Sequence, residues 1–128
     1  MIRFSIALLA LSTTAFAQEP LNGDAISRAI SGNTAIATGA RGTPWRQFFA
    51  ADGSTRYYSG SRPASLGEWR IQGDQYCSLW PPSEKWDCYD VVQKDNMIVW
   101  RRDGAEPDVS IVYEGDRTLG PLPDGHPK

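Results

Sequence analysis

Cysteine and histidine are scarce: two Cys and one His in 128 residues. A multi-histidine metal site, a Cys-His pair and a Ser-His-Asp triad each need an imidazole held by a rigid scaffold. The sole imidazole, His126, lies in a stretch with Pro121, Pro123, Gly125 and Pro127 that lacks periodicity and apolar content. Residues 119–128 are therefore expected to form a flexible tail, with His126 exposed to solvent. Basic excess is missing too. The formal net charge is −2, and neither a nucleic-acid partner nor docking on anionic lipid is expected without a basic face. The acids Asp103, Glu106 and Asp108 come nearest to a hard-cation loop, but their spacing matches no calcium loop, and Gly104 and Pro107 suit an ordinary turn. Acid pairs such as Glu84 with Asp87 have no evident cleft to raise one pKa. No catalytic residue, metal ligand or cofactor is assigned.

Long hydrophobic runs are absent after the N-terminus. There, Met1-Ile2-Arg3 carries one positive charge, and the apolar run Ser5 to Leu11 is too brief to anchor in a bilayer. Ala15-Phe16-Ala17 supplies the small residues that signal peptidase requires, so cleavage is expected between Ala17 and Gln18, with residues 1–17 a secretory signal. Without that segment the chain has 111 residues and a formal charge of −3, from 12 Lys and Arg against 15 Asp and Glu. It is expected to form one β-rich domain over 18–118, periplasmic or secreted, monomeric and without a membrane anchor.

One helix is expected, from Gly23 to Ile30. Asn22 can cap it, Leu21 and Ile26 can form a hydrophobic staple, Asp24 suits the positive end, and Gly32 stands where a left-handed residue is wanted. Ile26 and Ile30, four apart, make one apolar stripe that needs a sheet beneath it. After Gly32 come short β-prone runs: Thr34–Thr38, Trp45–Ala50, Thr55–Ser59, Gly67–Ile71, Gln75–Trp80, Trp86–Val92, Met97–Arg101 and Val109–Glu114. Asp52-Gly53, Gly73-Asp74, Asp95-Asn96 and Asp103-Gly104 between them tolerate positive φ and close hairpins. The expected fold is mainly β: an antiparallel meander closing into a small barrel-like sheet of about eight strands, with the short N-terminal helix packed on it.

In an exported chain, Cys77 and Cys88 at hairpin spacing are expected to form a disulfide. Pairing them sets Leu79 opposite Trp86, and these four side chains then share a face that is expected to be buried. Aromatics are abundant, with 5 Trp and 5 Tyr, more than one face of a small core needs. Trp45, Tyr58, Trp69 and Trp100 are candidates to stack on a ligand, with Arg70 and Arg101 for its anionic groups. The competing reading is that the aromatic and Arg side chains laminate a two-sided barrel.

The run Gly67-Glu68-Trp69-Arg70-Ile71, then Gly73-Asp74, Tyr76-Cys77, Trp80 and Cys88-Tyr89, resembles a family of small periplasmic proteins of Gram-negative bacteria that has no assigned activity. Ser31-Gly32-Asn33-Thr34, Phe49 and Asp52-Gly53 belong to the same pattern, which covers residues 21–115 and implies fold and compartment only. Gly67-x-Trp69 is also similar to the opening strand motif of lipocalins, although too little chain follows it for a full lipocalin. The Trp69-Arg70-Ile71 run with Cys77 resembles periplasmic barrel inhibitors of secreted metalloproteases, whose N-terminal trunk enters the protease cleft; here only Gln18-Glu19-Pro20 precedes the capped helix region. The leading expectation is a periplasmic, non-enzymatic module that binds a small ligand, an envelope component or a protein. A periplasmic protease inhibitor is the second reading, and a hydrolase or lyase acting through carboxylates and Tyr the third.

Overall fold

The computed structural model describes residues 19–39 and 44–127. The expected signal segment and its cleavage point at Ala17 and Gln18 lie outside the described residues. Helix α1 (Gly23–Ile30) precedes strands β1 (Asn33–Ala37), β2 (Trp45–Phe49), β3 (Ser54–Ser59), β4 (Ser65–Gln72), β5 (Gln75–Leu79), β6 (Trp86–Lys94), β7 (Met97–Arg101) and β8 (Asp108–Glu114). Each strand pairs antiparallel with the next, and β8 returns to pair with β1, closing the barrel in chain order. The expected helix, meander and closure are all present. The hairpins β4–β5 and β6–β7 turn on Gly73-Asp74 and Asp95-Asn96, with Gly73 at φ 61° and Asp95 at φ 56°.

Local and long-range contacts together fix the helix. The Asn22 side chain accepts the Ala25 N–H at 2.9 Å, and Asp74 from the β4–β5 turn accepts the Gly23 N–H at 2.9 Å. The second contact places a carboxylate at the positive end of the helix. Gly23 is required by close approach, since a Cβ there would stand 2.4 Å from the Gly73 carbonyl oxygen. The Leu21 N–H donates to the Val91 carbonyl at 2.7 Å. Pinned at these points, α1 lies over the barrel end that holds the β2–β3, β4–β5 and β6–β7 turns. It buries Ile26 and Ile30 completely, each contributing about 1.5–3 kcal/mol.

Beneath the helix the interior is filled by rings. Phe49 meets Trp69 and Tyr76 edge-on, at centroid distances of 6.0 and 5.6 Å, and stacks on Trp100 at 5.7 Å. Val91, Ile98 and Ala35 complete this layer. Trp69 is further held by its indole N–H, which donates to the Ala50 carbonyl at 2.8 Å.

The disulfide Cys77–Cys88 forms in the expected register, with Leu79 opposite Trp86, but its face is the outer one. Strand alternation requires this, because Tyr76 and Ser78 on either side of Cys77 point into the barrel, where the bulkier aromatic rings need the space. Arg70, across the ladder from Cys77, lays its guanidinium 3.9 Å from the centroid of Trp86. Cys77 is nonetheless fully buried in that outer layer. Arg46, Arg56, Asp90 and Arg101 also alternate outward. A wall carrying charges at mid-strand is the reverse of the apolar band that a lipid-facing barrel presents.

His126 departs from expectation. It is only 8 % exposed. Its Nδ1 lies 2.6 Å from the Tyr113 hydroxyl and its Nε2 2.7 Å from the Ala37 carbonyl. Upstream, the Thr34 hydroxyl donates to the Gly115 carbonyl at 2.6 Å and accepts the Arg117 N–H at 2.8 Å. Arg46 donates to the Arg117 carbonyl at 2.9 Å, and Arg56 pairs with Asp116. Residues 115–127 thus form a strap over the outer wall of β8, β1 and β2. It is held by polar contacts rather than by an apolar face, which is why a search for hydrophobic periodicity passes over it.

His126→Ala removes the partner of the Tyr113 hydroxyl and releases the far end of the strap, while the Thr34, Arg46 and Arg56 contacts remain. Loss of such contacts costs about 1–3 kcal/mol, so the urea midpoint is expected to fall while the denaturant slope holds. An unchanged midpoint would show that the His126 contacts contribute nothing to stability.

Candidate functional site

With α1 and the Phe49 layer occupying one end, the other half of the barrel stays open. It forms a cup of about 800 Å³, bounded by the β3–β4, β5–β6 and β7–β8 loops. Its wall holds two connected groups of rings. Trp45 stacks on Tyr57 at 5.8 Å, and Tyr57 meets Trp80 at 6.0 Å. On the other side, Tyr76 meets Trp100 at 5.1 Å and Tyr89 at 6.0 Å. Asp108 stands at the rim, opposite Trp100 in the β7–β8 ladder and exposed to solvent. Leu66 forms part of the lip.

Each ring is placed by a specific local reason. Trp80 follows the last residue of β5 and folds back over β4, and Gly67 makes the room: a Cβ there would lie 2.7 Å from Trp80 Cε3 and 2.6 Å from the Leu79 carbonyl oxygen. The Trp80 indole donates to the Ser78 hydroxyl at 3.1 Å, and the Trp100 indole to the Ser110 hydroxyl at 2.9 Å. At the floor, the buried Gln47 amide donates to Thr55 Oγ1 and to the Tyr76 hydroxyl, both at 3.0 Å. These bonds hold the floor polar groups in fixed orientations, as a preformed site requires.

Burial pushes the phenols of Tyr57, Tyr76 and Tyr89 above their ordinary value, Tyr76 furthest because it is the deepest. The Asp108 charge adds to the rise at Tyr57 and Tyr89, while Arg102 opposes it at Tyr89. All three therefore stay neutral at physiological pH and act as hydrogen-bonding groups. Among the described residues, no three His, Cys, Asp or Glu side chains come together as a metal site.

Of the candidate ligand contacts expected from the sequence, the structure brings Trp45 and Trp100 into the cup. Trp69 lies in the layer beneath it, packed on Phe49. Tyr58, Arg70 and Arg101 alternate to the outer wall, so the anion-pairing arginines face away from the cavity. Sequence reasoning missed Tyr57, Trp80, Tyr89, Gln47 and Asp108 as lining residues. Parity of alternation along β2, β3 and β6 could have found Tyr57, Gln47 and Tyr89 once Trp45 and Val91 were fixed as inward. Trp80 and Asp108, at strand ends, gave no such signal.

A raised phenol pKa makes stability fall at high pH. The unfolded chain releases these protons near pH 10.0, whereas the folded chain keeps them; the stabilisation is complete below that value and is lost as pH rises through the folded values. The urea midpoint is expected to decline above about pH 10, and less steeply in Tyr76→Phe. Equal decline in the two proteins would contradict the burial of this phenol. No protein-family model, curated protein or solved structure matches this chain.

Proposed function

We propose that this chain is a small exported binding protein, non-enzymatic, that holds one small ligand in the open cup. The cup itself carries the reading: its volume of about 800 Å³ falls among those of small-molecule sites, and its wall combines apolar rings with a few fixed polar groups, as such sites do. A barrel of this size can be filled by its own side chains. Here only the half beneath α1 is filled. The disulfide Cys77–Cys88 is compatible with an oxidising compartment, which supports a periplasmic or secreted location, as does the resemblance to small periplasmic proteins. The protease-inhibitor alternative gains nothing from the cup, which opens at the end away from α1 and the segment before it.

The test is a tryptophan-fluorescence and thermal-shift screen of envelope sugars, lipid headgroups, amines and short peptides against the purified chain. A saturable response with one ligand per chain is expected, weakened in Trp45→Ala and retained in Trp86→Ala, whose ring lies on the outer wall. Binding that survives the loss of both Trp45 and Trp80 would move the site elsewhere. Silence across the screen together with stoichiometric inhibition of a protease would replace this reading with the alternative.

A further inference from the structure

We infer that the ligand of this cup is an organic cation, an alkylammonium head carried on an apolar body; the inference rests on the proposed binding role and specifies its chemistry. Among the described residues lining the cup only one is charged, Asp108, and none is Lys, Arg or His. An anionic ligand would enter without a counter-ion, whereas a cation would meet a carboxylate at the rim and the negative ring faces within. Among the described residues, the guanidinium that meets a ring of the cup belongs to Arg102. It lies over Tyr89, 5.4 Å from the ring centroid, and is paired with Asp87 at 3.4 Å, which offsets part of its charge at that edge of the cup.

The rim agrees with the lining. Across 60–64, 80–85 and 102–107, the three described loops of the open end, and the strand-end residues Asp87 and Asp108 beside them, the cations are Arg62, Lys85 and Arg102. The anions are Glu84, Asp87, Asp103, Glu106 and Asp108. Acidic groups around a low-dielectric mouth concentrate cations at it. The same chain already uses rings to hold positive charge on its outer wall, with Arg70 on Trp86 and Arg56 on Phe48. Among the described residues, the one cation that meets a ring of the cup is Arg102, over Tyr89. The volume exceeds what a bare ammonium head needs. Leu66, 66 % exposed at the lip, with Ala64 and Pro81 beside the mouth, offers apolar contact for the rest of the molecule.

Isothermal titration of the full exported chain with four probes tests this: choline; neohexyl alcohol, its neutral carbon isostere; hexyltrimethylammonium; and hexanoate, an anion. Hexyltrimethylammonium is expected to bind most tightly, and choline to exceed neohexyl alcohol by about fivefold to tenfold, the range of a partly desolvated cation–π contact. Asp108→Asn should weaken both ammonium probes by severalfold and leave neohexyl alcohol unchanged, and Trp45→Ala should weaken all probes that bind. Equal affinity for choline and its neutral isostere, or a preference for hexanoate, would overturn the charge assignment while leaving the cup a binding site. Failure of hexyltrimethylammonium to bind would also overturn it, and a hit among neutral sugars in the fluorescence screen would then show that the cup itself still functions.

Discussion

A closed barrel of eight strands has two mouths, and a helix of eight residues with a single apolar stripe can cover only one of them. The division of the barrel into a covered end and an open cup follows from that inequality. Ile26 and Ile30 must leave water, and they do so in the mouth beside the β4–β5 turn, where Gly23 allows the helix backbone to approach Gly73. Asp74 then serves two structures at once, closing a two-residue hairpin and accepting a hydrogen bond at the helix N-terminus. The helix end becomes the floor side of the molecule. The opposite mouth is left to whatever the loops and rings around it can bind.

The large number of aromatic residues has a spatial explanation. One set, centred on Phe49 and Trp69, is conventional core beneath the helix. A second set, Trp45, Tyr57, Trp80 and Tyr89, continues up the inner wall with nothing packed on it from the other side. Tyr76 and Trp100 join the two sets, so that the lower faces of these rings are in the core and their upper ones form the floor of the cup. A third, smaller set lies on the outer wall, where Trp86 and Phe48 are each covered by an arginine. Lamination of a two-sided wall is thus met on the outer face, while the inner rings leave open the cup proposed to hold a ligand.

The fold was largely legible in the sequence because its signals are local. The Asn22 cap and the Ile26–Ile30 spacing define α1, and Gly73-Asp74 and Asp95-Asn96 define tight hairpins within a few residues of chain. The disulfide register was legible for the same reason. Its face was not: alternation says that Cys77 and Trp86 share a side, but only the whole barrel decides which side is inside. The same ambiguity misplaced Tyr58, Arg70 and Arg101, each one residue away from an inward position. The C-terminal strap was invisible because it is held by Thr34, Arg46 and His126 through contacts with backbone groups distant in sequence. Such contacts leave neither a periodic nor a compositional trace.

The most direct measurement is a crystal structure of the protein purified from the cells that make it, read at the open end of the barrel. The account predicts a mouth kept open by Trp80 folded over Gly67, with electron density for a small molecule between Trp45 and Trp100. A barrel in which Trp80 and Leu66 turn inward and fill that volume with the protein's own side chains would contradict it.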